Sequence, residues 1–130
     1  MLQALRCLCG MLLVMASLSD AQAFQWQSYS HAKSQHQGAQ GTVSVADLPV
    51  QARTTLRAIK QGGPFASDRD GVVFGNFERA LSKQARGYYH EYTVRTPGVR
   101  SRGARRIISG SGGEYYYTDD HYQTFKRIRE

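Results

Sequence analysis

The alternation of apolar and polar positions divides the chain into one helical stretch and a series of short strands. Over residues 44–61, Ala52, Leu56 and Ile59 recur at i, i+4 and i+7 and form an apolar stripe, while Arg53, Arg57 and Lys60 fall on the other face. Pro49 suits the first turn of that helix, and Gly62-Gly63-Pro64 ends it. Downstream the period shortens to that of strands. Segments 71–74, 87–94, 105–109, 114–118 and 124–128 carry this signature, with turn signals at Pro97-Gly98, 110–113 and Asp119-Asp120 between them. One N-terminal helix followed by consecutive strands predicts an α+β fold, the helix packed on an antiparallel sheet.

Upstream of the helix the pattern differs. Arg6, the apolar run 8–16 and Ala21-Gln22-Ala23 together predict a secretory signal peptide over 1–23, cleaved near Ala23. The apolar run is too short to span a bilayer as a stable helix, so no membrane contact is expected of the mature form. Residues 24–43 are rich in Gln, Ser, His and Gly and hold too few aliphatic side chains to offset the entropy of ordering them. They predict a flexible leader before a domain at 44–130. Taking 23 residues from 130 leaves 107, enough for one core. Both cysteines, Cys7 and Cys9, fall in the signal, which excludes an internal disulfide and thiolate chemistry in the mature chain. His31 and His36 lack neighbouring ligands, and the sequence implies neither a metal nor a cofactor. The formal net charge is +7, and a small basic exported domain favours polyanionic partners. Charge alone does not choose among RNA, DNA, anionic lipid and an acidic protein.

Candidate chemistry concentrates between Gly87 and His121. Strand alternation puts Tyr89, Glu91 and Thr93 on one face and His90, Tyr92 and Val94 on the other. Arg106 shares the face of Glu91 if Ile107 and Val94 point into the core. Arg100, Arg102, Arg105 and Arg106 form a dense cationic segment, and His121 follows in a polar turn. Guanidinium groups match phosphate oxygens bidentately and stabilise a pentacoordinate phosphorane. A carboxylate at Glu91 can take the proton of a ribose 2′-hydroxyl, and a protonated His121 can give one to the departing 5′-oxygen. Arginines around Glu91 favour its carboxylate, and Asp119 and Asp120 favour a charged His121. Upstream, Phe74-Gly75-Asn76-Phe77-Glu78 offers an aromatic to stack on a base, free backbone amides, and a carboxylate able to accept from a guanine edge. The same residues fit plainer roles: a structural ion pair worth only ~0–1 kcal/mol, a solvated arginine loop, or half-buried strand tyrosines.

Asp70-Gly71-Val72-Val73-Phe74-Gly75-Asn76, Gly87-Tyr88-Tyr89-His90-Glu91-Tyr92-Thr93-Val94, Arg102-Gly103-Ala104-Arg105-Arg106-Ile107-Ile108 and Asp120-His121-Tyr122 occur in an order that closely resembles the guanyl-specific microbial ribonucleases. The resemblance runs from about Gly41 to Ile128. It implies a helix on a twisted antiparallel sheet and metal-independent cleavage of single-stranded RNA after guanosine. Glu91 would be the general base, His121 the general acid, and Arg102 and Arg106 the phosphate clamps, with Arg105 beside them. Phe74, Gly75, Asn76, Phe77 and Glu78 would form the guanine pocket, with Tyr122 the aromatic next to the acid. Gly75 and Phe77 depart from longer polar residues at those pocket positions. A cysteine pair that joins the chain ends in some members of the family, though not in all, is missing, with Ser44 at the first position, a change worth roughly 2–5 kcal/mol unless compensated. The expected partner is single-stranded RNA, and the expected state is a monomer, secreted to the periplasm or medium. A barstar-like acidic inhibitor would accompany the enzyme if it serves as an antibacterial toxin. A non-catalytic RNA- or polyanion-binding module on the same fold is the alternative.

Overall fold

Pro49 decides where the helix begins. In the computed structural model, which describes residues 38–130, α1 spans Val50–Gln61 rather than starting at 44. A proline disfavours helical geometry in the residue before it, and Leu48 is extended at φ −68°, ψ 147°. Residues 42–48 therefore split into a short strand, β1 (Thr42–Ser44), and a single 3₁₀ turn (Val45–Asp47) whose Ala46 N–H donates to the Ser44 hydroxyl. At the other end Gly62 takes up a left-handed φ of 78°, which glycine adopts without side-chain clash, and closes the last turn of the helix.

The remaining strands are β2 (Val72–Val73), β3 (Tyr89–Thr93), β4 (Arg106–Gly110), β5 (Tyr115–Thr118) and β6 (Lys126–Arg129), in the sheet order β1-β6-β5-β4-β3-β2. Each of the five predicted strands is present: β2, β3 and β5 are shorter than their predicted segments, and β4 and β6 each run one residue past the predicted end. Neighbours from β2 to β6 pair antiparallel, while β1 pairs with β6 in parallel. The start of this domain thus lies inside the stretch expected to be a leader: Arg127 N–H donates to Gly41 O at 2.8 Å and Gln40 N–H to Phe125 O at 2.8 Å. These bonds tie the two ends of the domain together in a chain segment that has no cysteine. The predicted signal peptide and residues 24–37, with Trp26, His31 and His36, lie outside the described residues. Among the described residues no helix is long and apolar enough to cross a membrane.

The sheet is covered on both faces. On one, α1 packs Ala52 and Leu56 against Val94, Ile107, Tyr117 and Ile128. On the other, the loop between β2 and β3 lays Leu81 over Tyr89, Ile108, Tyr116 and Phe125, with Phe74 and Tyr122 at the margin. Register then sets what sits where. Glu91 pairs with Ile108, and Thr93, Arg106 and Thr118 form the next row across three strands. The second face is therefore apolar beneath the loop and polar along the row beside it, and the candidate site occupies that polar end.

Candidate active site

Tyr122 is the meeting point of the predicted groups. Its hydroxyl donates to Glu91 Oε2 at 3.0 Å and accepts from Arg106 Nε at 3.0 Å. Its ring stacks on Phe74 (centroids 5.3 Å apart, planes 22°) and meets the His121 imidazole at 4.9 Å. Burial, and then the nearby Glu91 charge, raise the pKa of this phenol, so its O–H is retained as a donor to the carboxylate. Glu91 and Arg106 project from the same sheet face, as strand alternation predicts.

The two arginines are held from behind. Arg102 donates from Nε to Thr93 Oγ1 at 3.1 Å and from Nη2 to Glu91 Oε1 at 3.2 Å, an ion pair whose side chains are 28% and 12% exposed. Arg106 is 3% exposed, and its Nη1 donates to the carbonyls of Gly103 at 2.9 Å, Arg105 at 2.8 Å and Arg102 at 3.4 Å. Each guanidinium keeps one terminal nitrogen, Nη1 of Arg102 and Nη2 of Arg106, without a hydrogen-bond partner among the described residues. Among the described residues no buried side-chain nitrogen or oxygen lacks a partner, so the Arg106 Nη2 group has access to solvent. That is the disposition an arginine needs to receive an anion: fixed on one edge, free on the other. Arg105 is not joined to this set by any side-chain hydrogen bond among the described residues. Its charge acts instead on the Tyr117 hydroxyl, whose ring belongs to the helix-side core.

His121 sits in a tight turn after β5. It and Tyr122 both have left-handed backbone, φ 58° and 71°, a conformation that costs roughly 1–2 kcal/mol for each non-glycine residue. Its N–H donates to Ala104 O at 3.2 Å, which ties the turn to the arginine segment. The imidazole is exposed and makes no side-chain hydrogen bond among the described residues. Among the described residues no ion pair within 4.0 Å joins Asp119 or Asp120 to His121. Asp120 instead faces its own turn and accepts from Thr118 Oγ1, Gln123 N, Thr124 N and Thr124 Oγ1. Its partial burial opposes ionisation, but these donors prevail and hold its carboxyl below the usual aspartate range.

The loop after β2 is anchored by Phe74, whose N–H donates to Tyr89 O at 2.8 Å. Asn76 has a left-handed φ of 49°, and its amide clamps Leu81 through Nδ2–H to Leu81 O (2.9 Å) and Leu81 N–H to Oδ1 (3.0 Å). The Asn76 side chain thus shapes the loop, leaving its main-chain N–H for a ligand. The amides of residues 75–78 have no acceptor among the described residues, and the Glu78 carboxylate is exposed and unpaired there. Phe77 is 88% exposed, and its ring lies over Gly75, where a Cβ would come within 2.3 Å of it. In this conformation the Phe77 ring occupies space that a side chain at 75 would take.

Sequence reasoning missed Thr93, Asp70, Thr118 and the structural role of Asp120. Asp70 accepts from Thr93 N–H at 2.7 Å and from Ser67 N–H at 3.1 Å, fixing the strand that carries both Thr93 and Glu91. The signal that could have found Asp120 is its position four residues before Thr124 in a polar turn, an Asp able to cap its own turn. Among the described residues no group of three or more His, Cys, Asp or Glu could hold a metal ion.

A family model described as ribonuclease matches residues 30–129. The chain is 54% identical over 84 residues to guanyl-specific ribonuclease St of Saccharopolyspora erythraea, covering 65% of this chain and 83% of that protein. It is 56% identical over 89 residues to guanyl-specific ribonuclease Sa of Kitasatospora aureofaciens, covering 68% and 93%. Among solved structures, ribonuclease Sa2 in complexes with mononucleotides aligns with a TM-score of 0.69 at 49% identity, over 71% of this chain and 96% of that one. Ribonuclease Sa2 with guanosine-2′-cyclophosphate aligns at 0.66 and 49%, over 70% and 97%. With the ordered motifs, the helix-on-sheet fold and the Glu–Arg–Tyr–His cluster all in agreement, the chain belongs to the guanyl-specific microbial ribonuclease family.

Proposed function

We propose that this protein is an endoribonuclease that cleaves single-stranded RNA on the 3′ side of guanosine without a metal. Glu91 takes the proton of the ribose 2′-hydroxyl, and that oxygen attacks the adjacent phosphorus. The free guanidinium nitrogens of Arg102 and Arg106 stabilise the charge of the phosphorane. His121 donates a proton to the 5′-oxygen as its bond to phosphorus breaks, leaving a 2′,3′-cyclic phosphate and a 5′-hydroxyl. Water opens the ring with the two proton roles reversed. The observation that carries the reading is the gathering of Glu91, Arg106, His121 and Phe74 around one tyrosine ring. A module that only binds polyanions has no need of a carboxylate and an imidazole flanking a set of arginines.

Guanine is read in the adjoining loop. Phe74 and the exposed face of Phe77 offer stacking surfaces, the amides of residues 75–78 donate to the base O6, and Glu78 accepts from N1–H and the exocyclic amine. Export fits the same reading, with Arg6, the apolar run 8–16 and Ala21-Gln22-Ala23 supporting cleavage near Ala23. An acidic protein that covers Arg102 and Arg106 would inhibit the enzyme.

The test is digestion of a defined oligoribonucleotide in excess chelator, with product ends identified by mass. Cyclic phosphate after guanosine is the expected product, and Glu91→Gln is expected to lower its formation by ~10²-fold or more while RNA binding persists. A chelator-sensitive reaction, or unchanged turnover in Glu91→Gln, overturns the mechanism.

A further inference from the structure

The imidazole of His121 has nothing of its own to hold it. Among the described residues no side chain bonds to it, and the ring it meets is that of Tyr122 at 4.9 Å. Its position therefore follows from the backbone of the turn. Tyr122 differs, because its ring is fixed independently by Phe74, Glu91 and Arg106. Besides the His121 N–H bond to Ala104 O at 3.2 Å, the turn is held through one side chain. Asp120 Oδ1 accepts from Thr118 Oγ1 at 2.8 Å, Gln123 N–H at 3.1 Å and Thr124 N–H at 2.9 Å, and Oδ2 accepts from Thr124 Oγ1 at 2.5 Å. Thr118, 1% exposed at the end of β5, also accepts from Tyr122 N–H at 3.3 Å, so the network roots the turn in the sheet. Two successive left-handed non-glycine residues need such restraint, since either would relax toward ordinary φ values if the turn were free.

We propose that Asp120 is a positioning residue for the general acid: its four-point capping of the turn holds His121 on the leaving-group side of the cleft. The proposal rests on the ribonuclease reading above. It makes a chemical prediction that general structural damage does not. A 5′-alkoxide leaves poorly unless it is protonated, whereas an aryloxide leaves readily without a proton. Loss of an acid's placement therefore depresses cleavage of a dinucleotide and spares cleavage of an aryl ester. Glu91, Arg102 and Arg106, which serve both substrates, are held by β3, β4 and Tyr122, not by Asp120.

The experiment compares kcat and KM for guanylyl-3′,5′-uridine and for guanosine 3′-(4-nitrophenyl phosphate) in the full protein and in Asp120→Ala, Asp120→Asn and His121→Ala. Asp120→Ala is expected to lower kcat for the dinucleotide by ~10²-fold, within the range of acid–base assistance, with little change in KM and in the aryl ester rate. His121→Ala should show the same split. Asp120→Asn keeps an oxygen for three of the four donors and should recover most of the dinucleotide rate. Should Asp120→Ala fail to fold, Thr124→Val, which removes one of the four bonds, is expected to give a smaller loss with the same substrate dependence. Equal losses on both substrates, an unaffected dinucleotide rate, or an Asn variant as poor as the Ala variant would each overturn the proposal. Backbone NMR shifts at His121 and Tyr122 separate the two layers of argument. An inactive wild type overturns the nuclease reading, while unchanged shifts at His121 in Asp120→Ala overturn the positioning role by themselves.

Discussion

Thr93 shows how an unremarkable residue type becomes part of a reactive site. It is 4% exposed, its N–H is held by Asp70 and its hydroxyl receives Arg102 Nε at 3.1 Å. With Glu91 it fixes two edges of the guanidinium and leaves Nη1 for a phosphate. Valine has nearly the same shape and no acceptor, so Thr93→Val leaves a charged donor without its partner, a loss of roughly 1.5–3 kcal/mol where the donor stays dry. Because about 1.4 kcal/mol corresponds to tenfold in rate, kcat/KM on RNA is expected to fall by ~10-fold, with Thr93→Ser restoring most of it. Steady-state assays on the two variants check this, and equal activity in both would remove Thr93 from the site. The residues proposed to react could be named from the sequence because a carboxylate, guanidinium groups and an imidazole stand in family order in a basic chain. Thr93, Asp70 and Asp120 were not, because their roles come from partners brought close only by folding. A residue in the loop before β2 and one at the end of β3 give no periodic signal to one another.

At the scale of elements, the periodic segments were legible and the short ones were not. The stripe of Ala52, Leu56 and Ile59 located α1, and alternation located β3, β4 and β5 to within a few residues. β1 has three residues and no period to read, and its partner β6 lies at the far end of the domain. The same strand explains how the domain ends are joined without a disulfide. Pro49 was visible but its consequence was underweighted: it sits at the N-cap and excludes Leu48 from the helix. Because α1 packs on the face opposite Glu91, stability and chemistry can be separated there. Leu56 is 3% exposed between α1 and the sheet, and Leu56→Ala is expected to cost ~2–5 kcal/mol. Urea unfolding should register that loss. Turnover by the folded fraction at low temperature should stay close to wild type, and a parallel loss of kcat would show that the helix does more than support the sheet.

For the whole molecule, the second core matters most, because it was the least expected and is built largely from tyrosines. The sheet face that carries Glu91 buries Tyr89 and Tyr116 with Ile108, Leu81 and Phe125, so phenol groups replace aliphatic side chains under the loop that leads to the proposed guanine pocket. Burial pushes the Tyr89 phenol up to about 12 from an ordinary 10.0. Tyr116 and Tyr117 are raised for the same reason, and Tyr88 mainly by its hydrogen bond to Glu114. The linkage has a definite sign. A folded phenol that keeps its proton to higher pH than the unfolded one stabilises the fold fully below pH 10, and that stabilisation is lost as pH rises toward 12. Asp120 works in the opposite sense at the other end of the scale. Its lowered value gives stability above the ordinary aspartate range that disappears as pH falls through it. The folded state should therefore weaken steeply on the alkaline side, through its tyrosine core and not through the groups proposed to be catalytic. Urea midpoints measured from pH 9 to 11.5 are expected to fall, and to fall less steeply in Tyr89→Phe, which has no proton to lose at that position. The Phe variant also forfeits the 2.9 Å bond to Ser82 O and should begin ~1 kcal/mol less stable at pH 9. The two curves should thus converge as pH rises. Parallel curves would mean that the buried phenol is not the origin of the alkaline weakness.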